Sequence, residues 1–234
     1  MQDRYAGDVG DFGKLALLRA LAPGRRLGVC WYRTSGTNER NNDGRHLAYV
    51  QQPARFRHLD VEVFETLGSF LDDVRAGRRS RAVESIESLG LTPAGTIFHG
   101  AHCPSQPSLR QVWFGEMLER MEPADLVFLD PDNGLESANL SPKSAAVAEL
   151  VGLRRQGRTL LLYHHQTRHK GGAGSEVETL GRRLREAGFA SVEAIRLRPY
   201  SSRFYFLLDA DPALSQCLQT FASLWGREAQ LYRQ

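Results

Sequence analysis

Leu126-Val-Phe-Leu-Asp-Pro-Asp-Asn-Gly-Leu-Glu136 decides how this chain is read. An apolar, strand-forming run ends abruptly in Asp130-Pro131-Asp132-Asn133-Gly134. In an open sheet of parallel strands, ligands bind just beyond the carboxyl ends of the strands. A carboxylate delivered to that edge stands where chemistry is usually done. Pro131 sets its own φ and biases Asp130 toward extended backbone. Asn133-Gly134 favours a tight turn with positive φ. The plainer reading of the same residues is a strand followed by an ordinary turn.

Outward from this run the pattern alternates. Helices are expected over 11–21, 61–75, 80–89, 108–121, 145–155 and 175–187, from apolar residues recurring at helical spacing. Pro23-Gly24 stops the first, and Gly188 is a good residue just past the end of the last of these. Strands are expected over 27–32, 95–99, 125–129 and 159–163. Strands at 191–198 and 203–208 flank Pro199-Tyr-Ser-Ser202, a connection short enough for an antiparallel hairpin. A terminal helix is expected over 212–231, with Trp225 and Tyr232 read as core or interface. The sum is an α/β chain: a mostly parallel sheet covered by helices, finished by an antiparallel hairpin. No linker interrupts it, so a single domain over 1–234 is expected.

Composition narrows the class. The chain has 234 residues, of which 41% are hydrophobic and 24% charged, ordinary for a globular protein. No apolar run approaches the ~20 residues of a membrane span, and the first residues carry no signal-peptide core. A cytoplasmic protein without membrane contact is expected. Cys30, Cys103 and Cys217 are scattered, with no paired spacing of the zinc or disulfide kind. A net charge of +3 permits a nucleic-acid partner, RNA or DNA, without requiring one. Oligomeric state is not read from the sequence.

Four further clusters carry candidate chemistry. Tyr5-Ala-Gly-Asp-Val-Gly-Asp-Phe-Gly-Lys14 places glycines, Asp8, Asp11 and a lone lysine just before a helix. Glycines admit a close backbone approach, and a helix start favours anions. Leu15 stands where a phosphate-binding loop needs Ser or Thr. In the bland reading Asp11 caps the helix. The second cluster, Thr34-Ser35-Gly36 through Gly44, follows the first sheet strand, the usual place of a cofactor cradle. It is equally an ordinary polar loop, with Arg45-His46 behind it.

Tyr163-His-His-Gln-Thr-Arg-His-Lys-Gly-Gly172 leaves another apolar strand at the same edge. Of His164 and His165 one at most faces a given side. Arg168 and Lys170 are candidates for substrate phosphates. His99 and His102 form the fourth cluster, one ligand short of a usual metal site.

These motifs resemble a family. Gly-Asp-Phe-Gly-Lys14 and Asp130-Pro-Asp-Asn-Gly134 together are similar to an uncharacterised bacterial family to which no activity is attached. More distantly, the chain resembles S-adenosylmethionine-dependent methyltransferases of the 23S rRNA adenine-N6 kind. Those proteins open with an Ala-Gly-Asn-x-x-Asp-x-x-Lys-His pattern, and carry an Asp/Asn-Pro-Pro-aromatic loop where Asp130-Pro-Asp-Asn stands. The resemblance implies a Rossmann-like, methyltransferase-type three-layer sandwich. It implies S-adenosylmethionine as cofactor, held by Asp11, Lys14, Thr34, Ser35 and Gly36. Asp130, Asp132 and Asn133 would then be catalytic, with Asp130 accepting a hydrogen bond from the target amine. Tyr5, His164, Arg168 and Lys170 would touch the substrate. The chain departs from the pattern at Leu15, which replaces His, and at Asp132-Asn133, which replace Pro-aromatic. Its first strand leads into Arg33-Thr-Ser-Gly-Thr37 rather than a glycine-rich loop. The aromatic face that an adenine site needs would have to come from Tyr163 or Tyr200.

Two other classes stay open. Asp130 and Asp132, with Glu136 and His164 or His165, could hold Mg²⁺ or Mn²⁺ in a phosphoesterase or nuclease. The third class is a non-catalytic protein on the same scaffold.

Overall fold

The computed structural model describes residues 1–34, 44–137 and 139–233. The chain divides into two compact units. One comprises Met1, Gly24–Thr34 and Gly95–Gln234; the other comprises Gln2–Pro23 and Ser35–Ala94.

The larger unit is built on a seven-stranded sheet. Its strands are β1 (Leu27–Trp31), β2 (Ile97–His99), β3 (Leu126–Asp130), β6 (Thr159–His165), β7 (Val192–Leu197), β8 (Arg203–Leu208) and β9 (Ala229–Arg233). The short strands β4 (Gly134–Leu135) and β5 (Ser144–Ala145) pair separately in a two-stranded parallel sheet. Across the large sheet the order is β2-β1-β3-β6-β8-β7-β9. β1 is parallel to both β2 and β3, and β3 to β6. β8 runs antiparallel between β6 and β7, and β9 runs antiparallel outside β7. The expected α/β class, mostly parallel sheet and C-terminal hairpin are therefore present.

The apolar runs explain the strands. β1 and β3 are buried at every position, as are the first four residues of β6, Thr159–Leu162. A strand with both faces covered has no reason to alternate. On one face Val127, Leu129, Leu160, Leu162, Phe204 and Phe206 join a single apolar core. Trp113 and Met117 reach that core from α5 (Pro107–Met121), Leu150 and Leu153 from α6 (Val147–Leu153), and Val177 and Leu184 from α7 (Gly172–Glu186). On the other face Phe98, Trp31, Phe128, Tyr205 and Tyr163 form an unbroken aromatic row, with neighbouring ring centroids 5.7–6.4 Å apart.

The chain's end corrects one expectation. The last helix, α8 (Pro212–Trp225), stops well short of residue 231. Gly226 takes φ 50°, a left-handed conformation that ends the helix. The next residues form β9, with Ala194 paired to Tyr232 and Leu197 to Ala229. Tyr232 is thus a strand residue, its ring 6.2 Å from that of Phe204.

The smaller unit is helical: α1 (Val9–Leu21), α2 (Pro53–Phe56), α3 (Val61–Arg75) and α4 (Val83–Glu87). Phe12 anchors its core, with the rings of Tyr49, Phe56 and Phe64 at 5.5, 6.1 and 6.2 Å. The α4 helix is shorter than the 80–89 expected; Val83 N–H is tied to Asp3 Oδ1 at 3.0 Å. Among the described residues no helix is long and apolar enough to cross a membrane.

Candidate functional site

The sheet order creates a crevice. From β1 the chain goes to β2 on one side, and later strands build outward from β3 on the other. Between the carboxyl ends of β1 and β3, then, the order reverses, the place where open α/β sheets bind ligands. Trp31, the last residue of β1, is in register with Asp130, the last of β3. Tyr32-Arg33-Thr34 and Pro131-Asp132-Asn133 leave the two strands side by side.

Oxygen atoms converge here on one nitrogen. The Met1 ammonium donates to Tyr32 O at 2.5 Å and to Asp130 O at 3.4 Å. It pairs with Asp132 Oδ1 at 2.8 Å, the Asp132 side chain being only 6% exposed. Asp132 Oδ2 accepts from Thr34 Oγ1 at 3.4 Å. Thr34 N–H in turn donates to the Met1 carbonyl at 3.3 Å. Two strand-end carbonyls and a carboxylate thus form a seat for a nitrogen cation, where charge-assisted hydrogen bonds are the strong ones.

The expected catalytic loop separates into parts. Asp130 is buried, and Asp132 faces the cation seat. Asn133 is exposed at the tip; its backbone N–H donates to Lys143 O at 2.7 Å and its carbonyl accepts from His165 N–H at 3.3 Å. Gly134 takes φ 96°, as the Asn-Gly reading anticipated. Glu136 does not join the aspartates; its Oε1 accepts from Val147 N–H at the start of α6.

His164 lies beneath the loop rather than open to a substrate. It is 5% exposed, its Nδ1 accepts from Leu135 N–H at 3.1 Å, and its Nε2 is 3.5 Å from Glu176 Oε1. Glu176 also accepts from Thr167 N–H at 2.8 Å. Burial pushes the Glu176 carboxyl up, but the nearby His164 ring and the hydrogen bond from Thr167 outweigh it and hold it below its usual value. Glu176 stood inside an expected helix, and no local signal marked it as the partner of His164.

Beyond β6, Arg168 and Lys170 are exposed, as is Tyr200, which holds a left-handed φ of 60°. Gln166 N–H donates to Ser202 O at 3.3 Å, and Arg196 Nε to Gln166 Oε1 at 2.7 Å. The β6 exit and the hairpin turn therefore form one rim. Neither Tyr163–Ser175 nor Ile195–Leu208 contains a carboxylate side chain.

The N-terminal cluster lies in the smaller unit and is occupied by its own side chains. Asp8, not Asp11, caps α1, accepting from the N–H groups of Gly10 and Asp11. Asp11 Oδ2 accepts from Gly7 N–H at 2.8 Å, and its Oδ1 pairs with Lys14 Nζ at 2.9 Å. Both members of that pair are buried. A helix start already holding two carboxylates offers little to an outside anion. Tyr5 closes a short turn over Asp3–Tyr5, with the Arg4 guanidinium 5.1 Å from its ring centre. Ser35 and Gly36 lie outside the described residues.

The remaining candidates stay apart. His99 is buried against Trp113, their ring centres 5.3 Å apart, while His102 pairs with Arg33 as an isolated parallel bridge. Burial and the Arg120 charge hold the His99 imidazole below its usual value. Among the described residues no three His, Cys, Asp or Glu side chains gather as a metal would need. Burial also pushes the Cys103 thiol up to about 11, which leaves it a poor nucleophile. No protein-family model matches the chain, and no curated protein matches it either.

Proposed function

We propose that this protein is an S-adenosylmethionine-dependent methyltransferase acting on an amine acceptor in a nucleic acid. The cation seat at the switch point carries the reading. Its oxygens, Tyr32 O, Asp130 O and Asp132 Oδ1, suit a group that brings an ammonium and a sulfonium. Met1 fills this seat, with its ammonium on those oxygens, its carbonyl on Thr34 N–H and its side chain buried, so a cofactor's methionyl end would have to take the place of Met1.

The strand order supports the same reading. An antiparallel β8 inserted between β6 and β7 resembles the hairpin of the methyltransferase sheet. The bound cofactor would supply an electrophilic methyl group. The chain's own part is positioning, which can provide most of the acceleration of an in-line displacement. Asp130 would accept a hydrogen bond from the acceptor amine and stabilise its developing positive charge. Asp132 would hold the cofactor's cationic end. Tyr200, which is exposed, and the half-buried Tyr163 would offer aromatic surfaces to an unstacked base. Arg168 and Lys170, on chain segments that hold no carboxylate of their own, suit phosphates.

The test is calorimetric titration with S-adenosylhomocysteine. Wild-type protein should bind in the micromolar range, and Asp132→Asn should weaken binding about tenfold, a loss of roughly 1.4 kcal/mol. Asp130→Ala should retain binding and lose methyl transfer. Absence of binding at millimolar ligand would sink the proposal.

A further inference from the structure

We infer that His164, with Nδ1 bonded to Leu135 N–H and Nε2 beside Glu176, is a positioning residue that latches the Asp130–Leu135 loop onto the end of β6. The latch is independent of the Met1 contacts and was not legible as a motif.

Three observations converge. Nδ1 of His164 accepts from the backbone N–H of Leu135 at 3.1 Å. A nitrogen that accepts carries no proton, so the ring's N–H is on Nε2. Nε2 faces Glu176 Oε1 at 3.5 Å, and both side chains are nine-tenths buried or more. Glu176 is itself anchored by Thr167 N–H at 2.8 Å. Nε2 makes no hydrogen bond in the structure, and the nearby carboxylate favours a proton there through its charge, while the Leu135 bond fixes Nδ1 as the acceptor.

The backbone has been shaped for this contact. A Cβ on Gly134 would lie 2.3 Å from His164 Nδ1 and 2.5 Å from its Cα, and Gly134 holds φ 96°. Only glycine lets β4 pass so close to the imidazole. On its other edge the same stretch is tied to β5, Asn133 N–H to Lys143 O and Glu136 N–H to Ala145 O, at 2.7 and 2.8 Å. Leu135 N–H points the opposite way and would lack a partner without the ring. The latch thus holds the loop that carries Asp132. The charged group facing the ring is Glu176, on α7; from β8 it meets the rings of Phe204 and Phe206.

The consequence for ligand binding rests on the proposed function; the latch itself does not. The experiment compares wild type with His164→Asn, whose amide oxygen can stand in for Nδ1, and His164→Leu, which has no acceptor. Long-range ¹H–¹⁵N spectra of the wild-type imidazole should show a proton on Nε2 alone. Hydrogen exchange at the Leu135 amide should speed at least tenfold in His164→Leu and return to within about threefold of wild type in His164→Asn. The affinity for S-adenosylhomocysteine should follow the same order. A proton on Nδ1, or Leu135 exchange unchanged in His164→Leu, would overturn the latch. Exchange that follows the predicted order in a protein that binds no S-adenosylhomocysteine would uphold the latch and reject the methyltransferase reading. Should His164→Leu not fold, Leu135 exchange in His164→Asn as fast as in unstructured backbone overturns the latch, and retained protection supports it.

Discussion

At Gly134 two demands meet in one residue. Its φ of 96° belongs to glycine, and its missing Cβ is the space that His164 fills. The Asn-Gly pair announced the first demand in the sequence; the second depended on a residue thirty positions away. Gly134→Ala combines an unfavourable φ with a clash against backbone and ring, so the cost is that of strain plus overpacking. We expect a loss of about 2–4 kcal/mol, read as a lower urea midpoint at unchanged slope. Gly28→Ala is the contrast. There φ is not positive, and a Cβ would meet the flexible end of Met121, Sδ at 2.4 Å, and the Cβ of Ala124 at 3.0 Å. A smaller loss of about 1–2 kcal/mol is expected. Lys14 teaches a similar lesson in reverse. Its isolation among arginines suggested a ligand contact, yet Asp11 three residues earlier takes its charge inside the smaller unit.

Between elements, the larger unit is joined by a buried ionic knot. Arg110 on α5 reaches Glu149 on α6 through Nε and Nη2, at 2.6 and 3.0 Å. It also donates to Ser141 O and Ser144 O, at 2.8 and 2.6 Å, fixing the approach to β5. Glu149 accepts further from Tyr32 Oη at 3.1 Å and from Ala146 N–H at 2.9 Å. The knot therefore links the exit of β1 to both helices behind the site. Arg110 and Glu149 side chains are each 7% exposed, so removing one strands the other's charge. Arg110→Met should cost about 3–5 kcal/mol, and the double variant Arg110→Met, Glu149→Leu should recover part of it. Denaturant unfolding of the three proteins decides this; an Arg110→Met variant as stable as wild type would refute it. Sequence periodicity located α5 and α6 to within two residues, but not this pairing, because nothing local joins positions thirty-nine apart.

For the whole molecule, a modest net charge of +3 conceals an uneven distribution. The β6 exit and the hairpin turn bring Arg168, Lys170, Arg196 and Arg198 to a rim whose two segments hold no carboxylate. If that rim meets phosphates, its contribution must fall with salt through counterion release. Arg168→Glu with Lys170→Glu should weaken binding of a single-stranded RNA oligonucleotide about tenfold or more. It should also lower the slope of log affinity against log salt by about two. Fluorescence anisotropy over a salt series measures both quantities, and an unchanged slope would remove these residues from the interface.

Local sequence determined the elements and the edge. Apolar runs marked the central strands, a short Pro-Tyr-Ser-Ser connection marked the hairpin, and Asp-Pro at a strand end marked the loop at the carboxyl edge. Such features depend on neighbours in the chain. Tertiary structure alone decided the rest. It ended α8 at Gly226 and gave Tyr232 to an edge strand, since β7 offered an unpaired edge that no helical pattern could reveal. It set Tyr32 and Asp130 carbonyls beside Asp132, turned His164 inward to Glu176, and withdrew Lys14 and Asp11 into a pair of their own. The reason is the same each time. Backbone carbonyls carry no sequence signature, and the partner of a buried charge is chosen by packing across the fold, not by spacing along the chain.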